Sequence, residues 1–322
     1  MILSQAADGF LLSLRAGGYS RATVDLYRYV MDCLVAYLAD PPLNQIKPND
    51  LKKYFVYLQD EYKPRRKAPS GKALSGSTLQ NHWKAIRSLY NWATEEELIK
   101  SRPDEKLKLP ENNPRAVLPL TEAEVKALLK AAEYTREAKP GNRSSFSMHR
   151  ATAARDTALI LLLLDTGVRA GEAGRLLVED VDLKTGEVTV HPYGNSKRKT
   201  KARSVFLGKS GQKAVWRYLA TRPDAQKDDP LFLSITGRPM DANSIRCLLV
   251  DLGEKAGISH VHPHRLRHTF SIQYLKNGGD VFTLQRLLGH ASLDMVKHYL
   301  EIAAVDAQNA HRRASPADNW HL

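Results

Sequence analysis

The sequence of 322 residues predicts a mainly helical protein of two domains with one small antiparallel β-sheet. Three observations carry that prediction. Helical spacing of apolar residues runs from Ser20 to Ala93 and returns from about Gly211 onward. A stretch without periodicity, Lys108 to Pro119, holds three prolines and Asn112-Asn113 and reads as a linker. Strand signals are confined to Glu187–His191 and Arg203–Leu207, with a basic turn between them. The expected division is an N-terminal domain at 1–112 and a larger one at 113–322, in keeping with the length.

In chain order, Ser20 to Ala39 is a helix with Val24, Tyr27, Val30 or Met31 and Leu34 on one side, stopped by Pro41-Pro42. Asn49 to Tyr62 is another, ended before Pro64, and Lys63 to Gly76 is a basic loop rich in Pro, Gly and Ser. Ser77 reads as the next N-cap, with Gln80 at the third helical position in a capping-box pattern. Leu79, Trp83, Ile86, Tyr90 and Ala93 give that helix an apolar face; Gln80, Lys84, Arg87 and Asn91 give it a second, acid-free face. Beyond the linker, Thr121 is an N-cap, Glu124 completes a capping box, and Leu120 staples to Val125. Lys139 to Arg150 is a polar, basic loop; Arg155 to Thr166 is a buried helix closed by Gly167.

The charge balance points to an anionic partner. Lys and Arg number 48 against 35 Asp and Glu, a net charge of +13, and nucleic acid is the first candidate. No acid occurs from Tyr62 to Thr94, where Lys63, Arg65, Arg66, Lys67, Lys72, Lys84 and Arg87 stand. Five of the seven residues from Lys197 to Arg203 are basic. One such run is commonly a solvated loop; several in one chain favour a surface that tracks phosphates, and the Gln80–Asn91 face reads either as an ordinary wet helix face or as one set along a DNA groove. Cys33 and Cys247 stand far apart, so neither a disulfide framework nor a cysteine metal site is expected, and a reducing, cytoplasmic compartment fits. The N-terminus lacks signal-peptide features, and the aliphatic run Ala158–Leu164 is too short to span a bilayer, so no membrane partner is expected.

The chemistry centres on Gly279 to Leu300, which holds Leu288-Gly289-His290 and then Tyr299. A tyrosine with an ordinary pKa near ~10 is a poor nucleophile unless cations hold its electrophile and stabilise developing charge. Candidates for that duty exist. Arg169 is followed three residues later by Glu172, a carboxylate able to hold the guanidinium, although taken alone the pair reads first as a local salt bridge. His264 and Arg267 lie at i and i+3 on one helix face, with Phe270 and Leu275 as apolar anchors. An arginine fork suits the non-bridging oxygens of a phosphate, and a histidine can donate to them or move a proton. Lys197, Lys199 and Lys201 occupy the hairpin turn, where a lysine can protonate a leaving oxygen. His264 and His268 have a metal-ligand spacing, but no third ligand accompanies them, and no metal is assigned.

Together, Thr-Gly-Val-Arg-Ala-Gly-Glu at 166–172, the lysine turn, His-Arg-Leu-Arg-His-Thr-Phe at 264–270, Leu-Gly-His at 288–290 and Tyr299 resemble the tyrosine recombinase or phage integrase family, including the Xer recombinases. The resemblance implies a SAM-like helical core-binding domain followed by the family's catalytic fold. It implies that Tyr299 attacks a scissile phosphodiester to give a 3′-phosphotyrosyl link. Arg169 and Arg267 would stabilise the phosphorane, His264 would assist proton movement, His290 would hydrogen-bond a phosphate oxygen, and Lys197 would protonate the leaving oxygen, with Glu172 in support. DNA contacts would fall to Arg65, Arg66, Lys67, Gln80, Lys84, Arg87, Asn91, Lys199 and Lys201. The resemblance calls for no cofactor, neither ATP nor an obligatory metal. The implied partners are double-stranded DNA at a specific site and further copies of the chain, a dimer on a site and a tetramer in synapsis, with a directionality partner left open. The turn is longer and richer in lysine than in the shortest relatives, which leaves Lys197 against Lys199 open. No arm-binding domain is evident before the helical one. A type IB-like topoisomerase shares the same chemistry, and a non-catalytic DNA-binding protein would share the fold.

Overall fold

The computed structural model describes residues 1–62, 74–111, 118–136, 146–192, 202–289 and Ser315. Eleven α-helices and one two-stranded antiparallel sheet are found among them, the mostly helical class expected. Two compact units are present, one built mainly from Met1–Ala116 and the other from Val117–Tyr193 with the chain from Thr200.

The first unit holds α1 (Leu3–Ala16), α2 (Arg21–Leu38), α3 (Pro48–Asp60) and α4 (Gly76–Glu95). Helix α1 was not singled out by sequence, yet its Leu3, Ala6, Ala7, Phe10, Leu11 and Leu14 form a buried stripe that packs on α2 and α4. Helix α2 starts at the Ser20 cap, whose hydroxyl accepts from the Thr23 amide, and buries Val24, Val30, Met31 and Leu34. Helix α4 corrects the sequence reading. Its N-cap is Ser75, which accepts from the Thr78 amide, and not Ser77. A cap needs extended backbone, and Ser75 has it at ψ 152°. The inner face of α4 also takes in His82, Ala85 and Leu89, while Trp83 is only partly buried and donates Nε1 to the Leu107 carbonyl at 2.9 Å. Gln80 likewise donates to the Pro110 carbonyl, so residues 108–110, read as the start of the linker, are held on α4 from both sides.

The second unit is organised around α6 (Ala153–Thr166), which packs against α5 (Glu122–Glu133), α8 (Lys209–Leu219) and α10 (Pro263–Lys276). Its apolar side chains are buried nearly all round, as expected for a central helix. The predicted capping box at Thr121 and Glu124 is present, and the Glu124 carboxylate also meets buried Arg265 at 3.0 Å. The α7 turn (Ala170–Ala173) follows α6, and α9 (Ala242–Lys255) and α11 (Val281–Leu288) complete the helices. The sheet pairs β1 (Glu187–Val190) with β2 (Arg203–Phe206), with Val188 opposite Val205 and Val190 opposite Arg203. Among the described residues no helix is long and apolar enough to cross a membrane.

Candidate active site

Three chain segments converge because of two helix ends. Gly167 closes α6 in the left-handed conformation at φ 61°, which a residue with a Cβ would adopt only under strain. A Cβ there would also lie 2.3 Å from Phe270 Cδ1. The turn it makes delivers Arg169 to the start of α7. Gly289 closes α11 the same way, at φ 63°, and the chain then continues to His290.

Arg267 ties these two ends together. Its side chain is buried, with Nη1 donating to the Gly167 carbonyl at 2.6 Å and Nη2 to the Leu288 carbonyl at 2.8 Å. A guanidinium presents its donors in a fixed planar fork, so these two bonds set the orientation of the group. The sequence placed His264 and Arg267 on one face of α10, and the structure agrees electrostatically. Burial holds the His264 imidazole below its ordinary pKa, and the positive charges of Arg267 and then Arg169 push it the same way. Arg169, His264 and Arg267 therefore share one positive field.

Arg169 remains partly open, its side chain 43% exposed. Its amide donates to Glu172 Oε2 at 2.8 Å and its Nη1 to Oε1 at 3.2 Å. Glu172 is not the solvated carboxylate of a simple local pair, for only 12% of its side chain is exposed. Its main partner was missed by sequence reasoning. Arg203, 31 residues away, donates Nη1 and Nη2 to the two carboxylate oxygens at 3.0 and 2.8 Å. Burial alone would raise the Glu172 pKa, but the Arg203 bonds and charge, then those of Arg169, outweigh it and hold the carboxyl below its usual range. A signal for Arg203 was available. With a period of two it shares the inner face of β2 with buried Val205, and an inward arginine needs a carboxylate.

Of the other residues singled out by sequence, Lys197, His290, Tyr299, Arg65, Arg66, Lys67, Lys199 and Lys201 lie outside the described residues. On α4, Lys84 and Arg87 are exposed, and the Arg87 guanidinium sits 5.0 Å from the centre of the Trp83 ring. Gln80 and Asn91 are already engaged. Gln80 Nε2 donates to the Pro110 carbonyl at 2.9 Å, and Asn91 Oδ1 accepts from Arg102. Arg265, beside His264 in the motif, serves structure: it donates to the Leu118 and Ser259 carbonyls and to Glu124.

A depressed His264 pKa has a consequence for pH dependence. The neutral imidazole, able to accept a proton, persists to more acid pH than the ordinary value of ~6.5 would allow. Single-turnover DNA cleavage at sub-saturating protein is therefore expected to show no loss on going from pH ~8 to ~6.5, and an acid limb only below that. His264→Gln should remove the limb. A limb centred at or above ~6.5 that disappears in His264→Gln would contradict the electrostatic picture.

A partly open, preorganised group of two guanidiniums and one neutral imidazole can bind a phosphodiester and stabilise charge developing on it. The chain belongs to the phage integrase family: the family's sequence profile matches residues 119–305. A profile for the phage integrase N-terminal SAM-like domain matches residues 7–100. Among similar proteins, the tyrosine recombinase XerC of Bacillus subtilis (strain 168) is 27% identical over 305 residues, covering 92% of this chain and 91% of its own. The tyrosine recombinase XerC of Staphylococcus carnosus (strain TM300) is 30% identical over 283 residues, 83% of this chain and 89% of its own. In fold, the Tn1549 transposon integrase solved with transposon right end DNA is similar over 93% of this chain and 94% of that one, with a TM-score of 0.72 at 21% identity.

Proposed function

We propose that this chain is a site-specific DNA recombinase of the tyrosine type, working on double-stranded DNA. The observation that carries the proposal is the convergence of Arg169, His264 and Arg267 in one positive field on a chain whose length aligns with tyrosine recombinases. Tyr299 is the nucleophile. Its Oη forms a bond to the scissile phosphorus while the bond from phosphorus to the 5′-oxygen breaks, leaving a 3′-phosphotyrosyl link and a 5′-hydroxyl. Arg169 and Arg267 neutralise the non-bridging oxygens as the phosphorane forms. His264, neutral at rest, accepts the phenol proton; His290 donates to a phosphate oxygen; Lys197 or Lys199 delivers a proton to the departing oxygen. A 5′-hydroxyl from a second strand reverses the step. The phosphodiester energy is kept in the protein link, so the sequence of steps needs neither ATP nor a cofactor.

Binding is assigned to both domains, 1–112 and 113–322, since basic runs fall in each. Arg65, Arg66, Lys67, Lys84, Arg87, Lys199 and Lys201 track phosphates. Gln80 and Asn91 contribute only by giving up the partners they hold in the free protein. The working assembly is a dimer on each site and a tetramer in synapsis, in the cytoplasm. A plasmid carrying two copies of the DNA that flanks the coding sequence, incubated with the protein and no nucleotide cofactor, is expected to yield recombinant circles. Relaxed topoisomers without recombinants would instead assign the chain to the topoisomerase chemistry.

A further inference from the structure

We propose that Arg203 is a positioning residue for strand cleavage, acting through Glu172 on Arg169. The inference rests on the assignment of Arg169 to the phosphodiester site and goes beyond it in naming the device that fixes Arg169 in place. Arg203 is the first residue of β2, where the lysine turn re-enters the sheet, opposite buried Val190. From there its fork takes both oxygens of Glu172 at 2.8 and 3.0 Å. Its Nε donates to the Leu287 carbonyl at 2.7 Å, in the last turn of α11. The guanidinium also lies close under the α11 C-cap, where a Cβ on Gly289 would stand 3.2 Å from Arg203 Cζ. One planar group thus joins the end of the lysine turn, the carboxylate that holds Arg169, and the helix end from which the chain leaves for His290 and Tyr299.

The chemistry favours arginine for this post. A bidentate fork fixes a carboxylate in orientation as well as position, which a lysine point charge does not. Glu172 so fixed has both oxygens left to accept from the Arg169 amide and Nη1. Arg169 is the more exposed of the two arginines, and a long exposed side chain holds one rotamer only when something clamps it. Without Arg203 the carboxylate turns or takes up water, and Arg169 loses the preorganisation that a transition-state donor requires.

The test uses the full chain and nicked suicide duplexes made from the DNA flanking the coding sequence, with a normal phosphodiester or a methylphosphonate at the scissile position. The neutral methylphosphonate lacks one anionic oxygen and depends less on an arginine. Arg169→Ala, Arg203→Ala, Arg203→Lys and the Arg169→Ala/Arg203→Ala double variant are compared. On the normal duplex Arg203→Ala should bind within a few-fold of wild type and cleave roughly a hundredfold more slowly, the scale of one lost transition-state donor. The double variant should be little slower than Arg169→Ala alone. On the methylphosphonate duplex the Arg203→Ala defect should shrink in parallel with that of Arg169→Ala. Arg203→Lys, which keeps charge and packing stem, should fall between wild type and alanine, and carries the comparison if the alanine variant does not fold. A defect equal on both duplexes, or one that multiplies with Arg169→Ala, assigns Arg203 a purely structural role and overturns the proposal. Normal cleavage by Arg169→Ala would instead remove the site assignment itself, and the proposal with it.

Discussion

Tyr299→Phe is expected to bind its DNA site with unchanged affinity and to form no covalent protein–DNA adduct on a nicked suicide substrate. The substitution removes one hydroxyl and leaves the cations of the site in place, so the phosphate is still held. What disappears is the atom that must bond to phosphorus, and loss of a nucleophile is among the largest single effects in covalent catalysis, on the order of 10⁶ in rate in a well-measured protease. The adduct is scored by its mobility in denaturing gels, where a non-covalent complex cannot persist. An adduct that survives in Tyr299→Phe would move the nucleophile to another tyrosine, with Tyr274 and Tyr193 the next to replace. The structure already weighs against Tyr274. Burial raises its pKa, and the Asp280 carboxylate raises it further, which makes the phenolate harder to form. Its ring also packs beside Phe270, with centroids 5.7 Å apart.

What the sequence disclosed follows the range of the interactions concerned. The Thr121–Glu124 capping box, the Gly167 helix end and the two strands are set by residues within a few positions of one another, and each was legible. The Ser75 cap was misplaced by two residues because Ser75 and Ser77 offer the same hydroxyl, and only the backbone conformation, extended at Ser75, selects between them. The partners of Glu172 and Glu124 are 31 and 141 residues distant, so each carboxylate showed only its neighbour three residues away. Arg265 and Arg267 stand two apart in the same motif and do different work. One braces the start of α5 while the other joins two helix ends. Spacing alone does not separate such a pair, because burial and carbonyl partners come from other elements. Gln80 shows the same limit on a polar face: its place on an acid-free side of α4 was legible, while the bond of its amide to the Pro110 carbonyl, 30 residues away, was not.

That division between local and distant contacts leads to the second large effect. Arg169→Ala and Arg267→Ala should each slow cleavage by ~10²–10³-fold, as for removal of one preorganised donor, yet they should differ in stability. Arg169 is 43% exposed, and its bond to Glu172 is an i,i+3 pair of the kind that contributes ~0–1 kcal/mol. Glu172 keeps Arg203 when Arg169 is truncated, and the Arg169 amide still donates to it. The thermal midpoint should therefore barely move. Arg267 is 4% exposed, and its truncation strips donors from the Gly167 and Leu288 carbonyls. A buried acceptor left without a partner costs about 1–3 kcal/mol, so the two together cost roughly 2–6 kcal/mol. At ~2–4 °C per kcal/mol for a domain of this size, the midpoint should fall by roughly 4–24 °C. Arg267→Lys should recover part of the stability through its charge and stem, but not the two-carbonyl bridge. The measurements are thermal melts beside single-turnover cleavage, both at a temperature where every variant is folded. An Arg267→Ala protein that melts with the wild type would show that the bridge between Gly167 and Leu288 carries no stability. An Arg169→Ala protein that melts early would show that Glu172 depends on Arg169 rather than on Arg203.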